Sequence, residues 1–343
     1  MCHVDRAVPA PLPSYHARRV RCMVRMIVVA GEALVDLLVL EDGSVTAAFG
    51  GGPFNAARTV ARLGHRCRFV GRLSIDRFGT GLRAALVADG VEPGVLERCN
   101  EPTTLAAAEL DDGGSASYRF YLEGTSAPSL LPEHIRPDAA FDPPLDPAFD
   151  PAEAEHVDAV HVGSLGLVLE PMASTLLEWV RKRCADGLVM IDLNCRPLAV
   201  ADHDHYRRML IAFAGAAHVV KASTEDLEFL FPGDDPELAA ARVLGIGATV
   251  VLLTDGSSPV RVIGAGGIRS VAVESVEVVD TVGAGDTFGA GFLTWWVDGG
   301  RGRGELDDLD TLARAATIGA AVSAITCSRV GADPPRRAEL ADW

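Results

Sequence analysis

Apolar positions in this chain follow two spacings that alternate along its length. The run "RMIVVAGEALVDLLVL", residues 25–40, is almost wholly aliphatic and breaks only at Gly31-Glu32, which predicts a buried strand followed by a second extended piece. In "LVLEDGSVTAAFG" the pair Asp42-Gly43 separates two apolar segments and predicts a hairpin turn. Residues 56–63 read as a helix ending at Gly64, "CRFVGRLS" as a strand, and "DRFGTGLRAALVADGV" as a helix closed by Gly90. A second hairpin is predicted in "TTLAAAELDDGGSASYRFYLEG", turning at "DDGG". Residues 137–155, rich in Pro and Asp, read as an irregular surface excursion.

Beyond that excursion the strand-like stretches "AVHVGSL", "LVMIDLN", "HVVKAS" and "TVVLLTDG" alternate with helical ones such as "MASTLLEWVRKRCADG" and "DPELAAARVLGIG". Such alternation predicts one large α/β domain with a parallel sheet covered by helices. The two early hairpins do not fit the alternation and are expected to pair into a small separate sheet, a lid over one end of the main one. Ligands in open α/β sheets bind beyond the carboxyl ends of the strands. Gly31-Glu32, residues 50–55, Gly163-Ser164, Asn194, Lys221 and Thr254 all fall at such ends.

Composition narrows the function classes. The chain has 343 residues, 48% of them hydrophobic, enough for a large core. A formal net charge of −16 argues against nonspecific nucleic-acid binding, which rests on Lys and Arg contacts to phosphates. Seven cysteines without a Cys-x-x-Cys pair suit reduced thiols and a cytoplasmic setting better than a disulfide framework. No apolar run has the length of a membrane span. Residues 1–25 contain prolines and arginines without an apolar signal core and are expected to form a mobile leader without chemistry.

The strongest chemical signal is "VVDTVGAGDTFGAGFLTWW". It reads as a strand ending at Asp280, a glycine turn, and a helix beginning near Ala284. The N–H groups of Ala284, Gly285 and Asp286 would then face outward from a helix N-terminus, an anion site, with Gly283 and Gly285 keeping side chains clear. Neither the Gly-x-x-x-x-Gly-Lys-Ser/Thr phosphate loop nor an early dinucleotide fingerprint is present, which disfavours a nicotinamide-dependent oxidoreductase. Asp286 reads either as an acid favoured by the helix dipole or as a base that takes a proton from a hydroxyl attacking a bound phosphorus. "FGGGPFNAARTVARLG" is likewise open between a plain strand-to-helix turn, with Asn55 as N-cap, and a ligand site.

Together, Gly51-Gly52-x-x-Asn55 and "DTVGAGDTF" resemble the two signatures of the pfkB (ribokinase-like) family of carbohydrate kinases, and the likeness runs over residues 26–332. Within the family, "GEALVDLL" and "YRFYLEGTSAP" are most similar to bacterial fructokinases. The resemblance implies a ribokinase-like three-layer α/β/α sandwich over residues 26–335, with a mostly parallel sheet and a small β-sheet lid from about 37–50 and 100–123. It implies transfer of the γ-phosphate of ATP, with Mg2+, to a primary hydroxyl of a ketohexose, D-fructose first. Ribose, 2-keto-3-deoxygluconate or nucleoside kinases are the neighbouring readings, and a catalytically silent sugar or nucleotide sensor is the reading from another class.

Position by position, the resemblance makes Asp286 the catalytic base and Gly283, Ala284 and Gly285 the anion hole. Asp36, Gly51, Gly52 and Asn55 become sugar contacts, with Arg119 and Ser164 as further candidates. Asn194, Arg196, Lys221, Thr254 and Gly256 are assigned to the nucleotide side. Pro259 stands where a glycine is frequent in relatives. A magnesium ligand acting through water falls to Asp226 or Glu225, and Asp280 and Thr281 match a K+ site of some relatives. Small residues in "ARAATIGAAVSAITCSRVGA" fit either an adenine lying on the helix or tight helix packing. Phe54 stands where a small residue is frequent, and either reshapes the pocket or enters the core. "DHDH" at 202–205 reads as a solvated helix start. A homodimer through the lid is the expected assembly, with no nucleic-acid or membrane partner.

Overall fold

Alternate residues of the first strand enter different cores. In the computed structural model, which describes residues 25–40, 42–93, 98–110, 116–135, 156–183, 187–341 and 343, β1 (Arg25–Ala30) sends Met26, Val28 and Ala30 into one cluster. Ile27 and Val29 enter the other. A strand covered on both faces needs apolar side chains at every position, so its sequence shows no polar alternation. Arg25, expected in the leader, is the first residue of β1, pairs with His156, and donates to the carbonyl of Val297 at 2.7 Å.

The chain then leaves the main sheet for β2 (Leu34–Val39) and β3 (Val45–Gly50), the first expected hairpin, and enters α1 (Gly52–Arg62). After α1 come β4 (Cys67–Val70), β5 (Leu73–Ser74), α2 (Arg77–Ala88), β6 (Glu92–Pro93) and β7 (Arg98–Cys99). The expected strand at "CRFVGRLS" is thus two, parted at Gly71, where any side chain would run into the carbonyl of Gly31 at 2.5 Å. The second hairpin is β8 (Leu105–Leu110) with β9 (Ala116–Tyr121). Its expected turn and the excursion at 137–155 lie outside the described residues.

From β10 (His156–Gly163) the alternation holds: α3 (Met172–Arg183), β11 (Leu188–Asp192), α4 (His203–Ala214), β12 (Val219–Ser223), α5 (Thr224–Leu230), α6 (Pro236–Ile246) and β13 (Val250–Thr254). An antiparallel extension, β14 (Val260–Gly264) and β15 (Gly267–Val271), precedes the long pair α7 (Ala284–Asp298) and α8 (Leu309–Cys327).

The main sheet has nine strands in the order β15-β14-β13-β12-β11-β10-β1-β4-β6, parallel from β13 through β6. Helices α3 to α6 pack in the first core and α1, α2, α7 and α8 in the second, giving three layers. The separate sheet, β3-β2-β8-β9, is rooted by Leu34 and Ala106 in one core and Val35 in the other.

Two expectations are corrected. Residues 272–283 form no strand; instead the N–H groups of Val279 and Asp280 donate to the carbonyl of Cys327 at 2.8 and 3.2 Å. The C-terminal carbonyls of α8 need donors, and this segment supplies them. Helix α1 starts at Gly52, before Pro53 and not after it, because proline is tolerated in a first turn where its missing N–H has no partner to lose. Asn55 is therefore inside the helix and is not its N-cap.

Candidate active site

The carboxyl end of β1, the turn into α1 and the start of α7 converge. Gly51 has φ +107°, and a side chain there would lie 2.8 Å from the carbonyl oxygen of Glu32, so only glycine fits. Gly50 packs directly on the carboxylate of Asp36. A side-chain carbon at Gly52 would lie 3.0 Å from Asn194 Nδ2, 3.1 Å from Asp286 Oδ1 and 3.2 Å from Ser164 Cβ. One turn further, Asn55 Nδ2 donates to Asp286 Oδ2 at 2.9 Å, while its Oδ1 is buried without a partner among the described residues. A buried acceptor left unpaired in the protein is a natural place for a ligand hydroxyl.

Asp286 is 8% exposed and takes one donor on each oxygen, Asn55 on Oδ2 and Asn194 Nδ2 on Oδ1 at 3.1 Å. Asn194 reaches it from the end of β11 with φ +37°, in the left-handed region that asparagine tolerates better than most residues. The resemblance assigns Asn194 to the nucleotide side; here its side chain meets Asp286.

Helix α7 has Gly283 as its N-cap, with φ +79° and no side-chain cap. The N–H of Ala284, which the resemblance assigns to the anion hole, donates to the carbonyl of Thr281 at 3.2 Å. Among the described residues the N–H groups of Gly285 and Asp286 have no acceptor, and Gly285 is exposed. Lys221 completes this end: a side-chain carbon at Gly285 would lie 3.0 Å from its Nζ. The buried ammonium holds both oxygens of Asp192 at 2.9 Å. Burial works against its charge, but Asp192, Asp226 and Asp286 outweigh that and hold Lys221 above the usual lysine range.

Residues 24–338 match the pfkB family of carbohydrate kinases. The chain belongs to that family. A fructokinase from Rhizobium leguminosarum bv. trifolii is 32% identical over 277 residues, 78% of each chain. One from Klebsiella pneumoniae is 30% identical over 309 residues, 89% of this chain and 94% of the relative. A solved fructokinase with bound ATP from Xylella fastidiosa superposes with a TM-score of 0.80 at 28% identity, covering 90% of this chain and 93% of the other. The fold is accordingly ribokinase-like, and the protein is an ATP-dependent sugar kinase resembling fructokinases.

In this kinase the other expected residues divide into those at the site and those beside it. Burial raises Asp36 to about 6; Arg196 pulls it down and Asp286 pushes it up, which puts the side chains of Asp36, Arg196 and Asp286 within electrostatic reach of one another. Arg196 is exposed, its guanidinium donating to the carbonyls of Asn194 and Cys195 at 3.3 and 3.0 Å. Ser164, with φ +56°, is buried against Gly52. Arg119 is exposed on β9, opposite Ala107 in register. Phe54 is fully buried in the core and does not shape the pocket.

On the far side, Thr254 ends β13 and Gly256 turns at φ +51° with open space where a side chain would stand. Asp226 is spent on structure: Oδ1 accepts from the N–H of Cys195 at 2.6 Å and Oδ2 from that of Ser223 at 2.8 Å, closing a capping box on α5. Glu225 is exposed beside it. Asp280 holds its own loop, accepting from Val282 and Gly331 at 3.0 and 2.8 Å, while Thr281 gives its carbonyl to Ala284. The small residues of α8 serve helix packing: a side chain at Gly319 would lie 2.7 Å from the carbonyl of Phe288, and one at Gly291 3.0 Å from Val322. Asp202 caps α4 by accepting from His205, as a solvated helix start should.

Two site residues went unassigned from sequence. Asp192 is the partner that a lysine in the apolar strand β12 requires. Glu32, 1% exposed, is raised to about 7 by burial, with Asp286 adding to the rise. Its signals were a lone acid in an apolar run and its place with Gly31 at a strand's carboxyl end.

Proposed function

We propose that this kinase transfers the γ-phosphoryl group of ATP to a primary hydroxyl of D-fructose. The observation that carries the reading is one carboxylate, Asp286, steered by Asn55 and Asn194 and set beside two free backbone N–H groups and the Lys221 ammonium. Asp286 accepts the proton of the sugar hydroxyl as its oxygen bonds to the γ-phosphorus. The bond from that phosphorus to the β,γ-bridging oxygen breaks, and ADP leaves with the electron pair. Free N–H groups at the start of α7 and Lys221 face the charge that accumulates on the transferring oxygens. Asp36 binds hydroxyls on the opposite side, with Gly51, Gly52, Asn55, Ser164 and Arg119 completing the sugar side. Arg196, Thr254 and Gly256 line the nucleotide side. The sheet β3-β2-β8-β9 is the lid, and its closure excludes water.

Among the described residues no group of three His, Cys, Asp or Glu side chains could hold a metal ion. Glu225 would reach Mg2+ through water, since Mg2+ keeps several waters and uses few protein ligands. When bound it neutralises phosphate charge. A K+ ion at the loop of Asp280 and Thr281 would strengthen the same anion site. Exposed Leu38 and Val45, on opposite faces of the lid sheet, leave apolar surface for a homodimer through it. Among the described residues no helix is long and apolar enough to cross a membrane.

The test is ADP release from ATP and Mg2+ with and without D-fructose, followed by NMR of the product. Fructose-dependent ADP release with phosphate on a primary carbon is expected. Nucleotide binding without any sugar-dependent release would favour the silent-sensor reading.

A further inference from the structure

Helix α1 begins without a cap of its own. Gly51 has no side chain to receive a first-turn N–H, and no acid stands in that turn. A serine or aspartate would serve elsewhere, but the backbone at 51 admits only glycine. The missing acceptor comes from the end of β1. Glu32 Oε1 accepts from the N–H of Gly52 at 3.2 Å, and Oε2 from that of Gly166 at 3.0 Å. The Ser164 hydroxyl lies near enough to the same carboxyl to favour its charged form. Glu32 is too deeply buried for a ligand to touch.

The groups tied together in this way are those that back the reacting carboxylate. Gly52 lies against Asp286 Oδ1 and Asn194 Nδ2, Ser164 lies against Gly52, and Asn55 follows in the same helix with its N–H on the carbonyl of Gly51 at 2.9 Å. An unpaired carboxylate buried here would be costly, so the two backbone donors and the acid stabilise one another only in this arrangement.

We propose that Glu32 is a positioning residue for the sugar acceptor: it caps α1 from a distance and locks the Gly51-Gly52 turn and the 164–166 turn against Asp286 before the sugar arrives. The inference rests on the sugar-side reading of Gly51, Gly52 and Asn55 given above.

Glu32→Gln tests it. Glutamine keeps the volume and one oxygen but turns an NH2 donor toward a backbone N–H, so one of the two backbone bonds is lost. The expected result is a rise in the KM for D-fructose of about tenfold or more with the KM for ATP within about twofold. Backbone amide exchange should also quicken in peptides spanning 50–56 and 163–168. An unchanged fructose KM, or an equal rise for both substrates, would overturn the proposal. If the variant does not fold, amide exchange of the unsubstituted enzyme decides: slow exchange at Gly52 and Gly166 without ligand supports the hold, and exchange at the rate of an exposed loop contradicts it. Failure of the fructose reading is separate, because it would appear as absent turnover in the unsubstituted enzyme while the exchange measurement still reports on Glu32.

Discussion

At the scale of residues, the account rests on a few carboxylates with different surroundings. Asp286→Asn keeps size and both asparagine neighbours within reach but removes the base. We expect kcat to fall by roughly 10²–10⁴ with ATP binding retained, read by steady-state kinetics and nucleotide titration. Near-normal turnover would refute the role. Asp36, at about 6, and Glu32, at about 7, stand above the ordinary carboxylate range because they are buried. Their contribution to stability is therefore complete near pH 4 and is lost as pH rises through about 6 to 7, while the sugar contact proposed for Asp36 uses its charged form. The sugar-free enzyme should lose kcat/KM for fructose below about pH 6, whereas the Tm advantage of the unsubstituted chain over Asp36→Asn should be larger at about pH 5 than at about pH 8. A Tm difference that grows with pH would contradict this. Asp286 and Asn55 were legible in the sequence because they sit in compact motifs. Glu32 and Asp192 were not, because their partners lie 20 and 29 residues away along the chain.

Among elements, the start of α1 is the most constrained. Gly51→Ala combines a glycine-only backbone with a contact of 2.8 Å to the Glu32 carbonyl, and should destabilise the fold by about 1–3 kcal/mol, measured by denaturant unfolding. Gly52→Val acts differently. Its side chain would push on Asp286 and Asn194, and displacement of a reacting group by about 1 Å can cost about 10² in rate. We expect kcat/KM for fructose to fall by about that factor with ATP binding little changed; a Gly52→Val enzyme of normal activity would remove Gly52 from the site. The start of α1 was misread because "GGGP" reads as a break, although proline is compatible with a first helical turn. The "VEVV" alternation before Asp280 likewise reads as a strand, and only the demand of α8 for donors at its end shows why it is none.

For the whole molecule, the alternation of strands and helices carried most of the architecture: three layers, a parallel centre, and two hairpins set apart as a second sheet. Sequence spacing did not reveal the strand order or the antiparallel edge formed by β14 and β15, since both depend on which elements cover which face. The candidate site lies where the small sheet, α1 and α7 meet, so the proposed substrate choice belongs to this scale, resting on how several buried polar groups match the hydroxyls of one sugar. A pocket built to pair hydroxyls penalises a ligand that lacks one. The most direct measurement is kcat/KM for D-fructose, D-ribose and 2-keto-3-deoxygluconate under one set of conditions with ATP and Mg2+. The account predicts the highest value for fructose. A preference of more than about tenfold for either competitor, roughly 1.4 kcal/mol of transition-state discrimination, would contradict it.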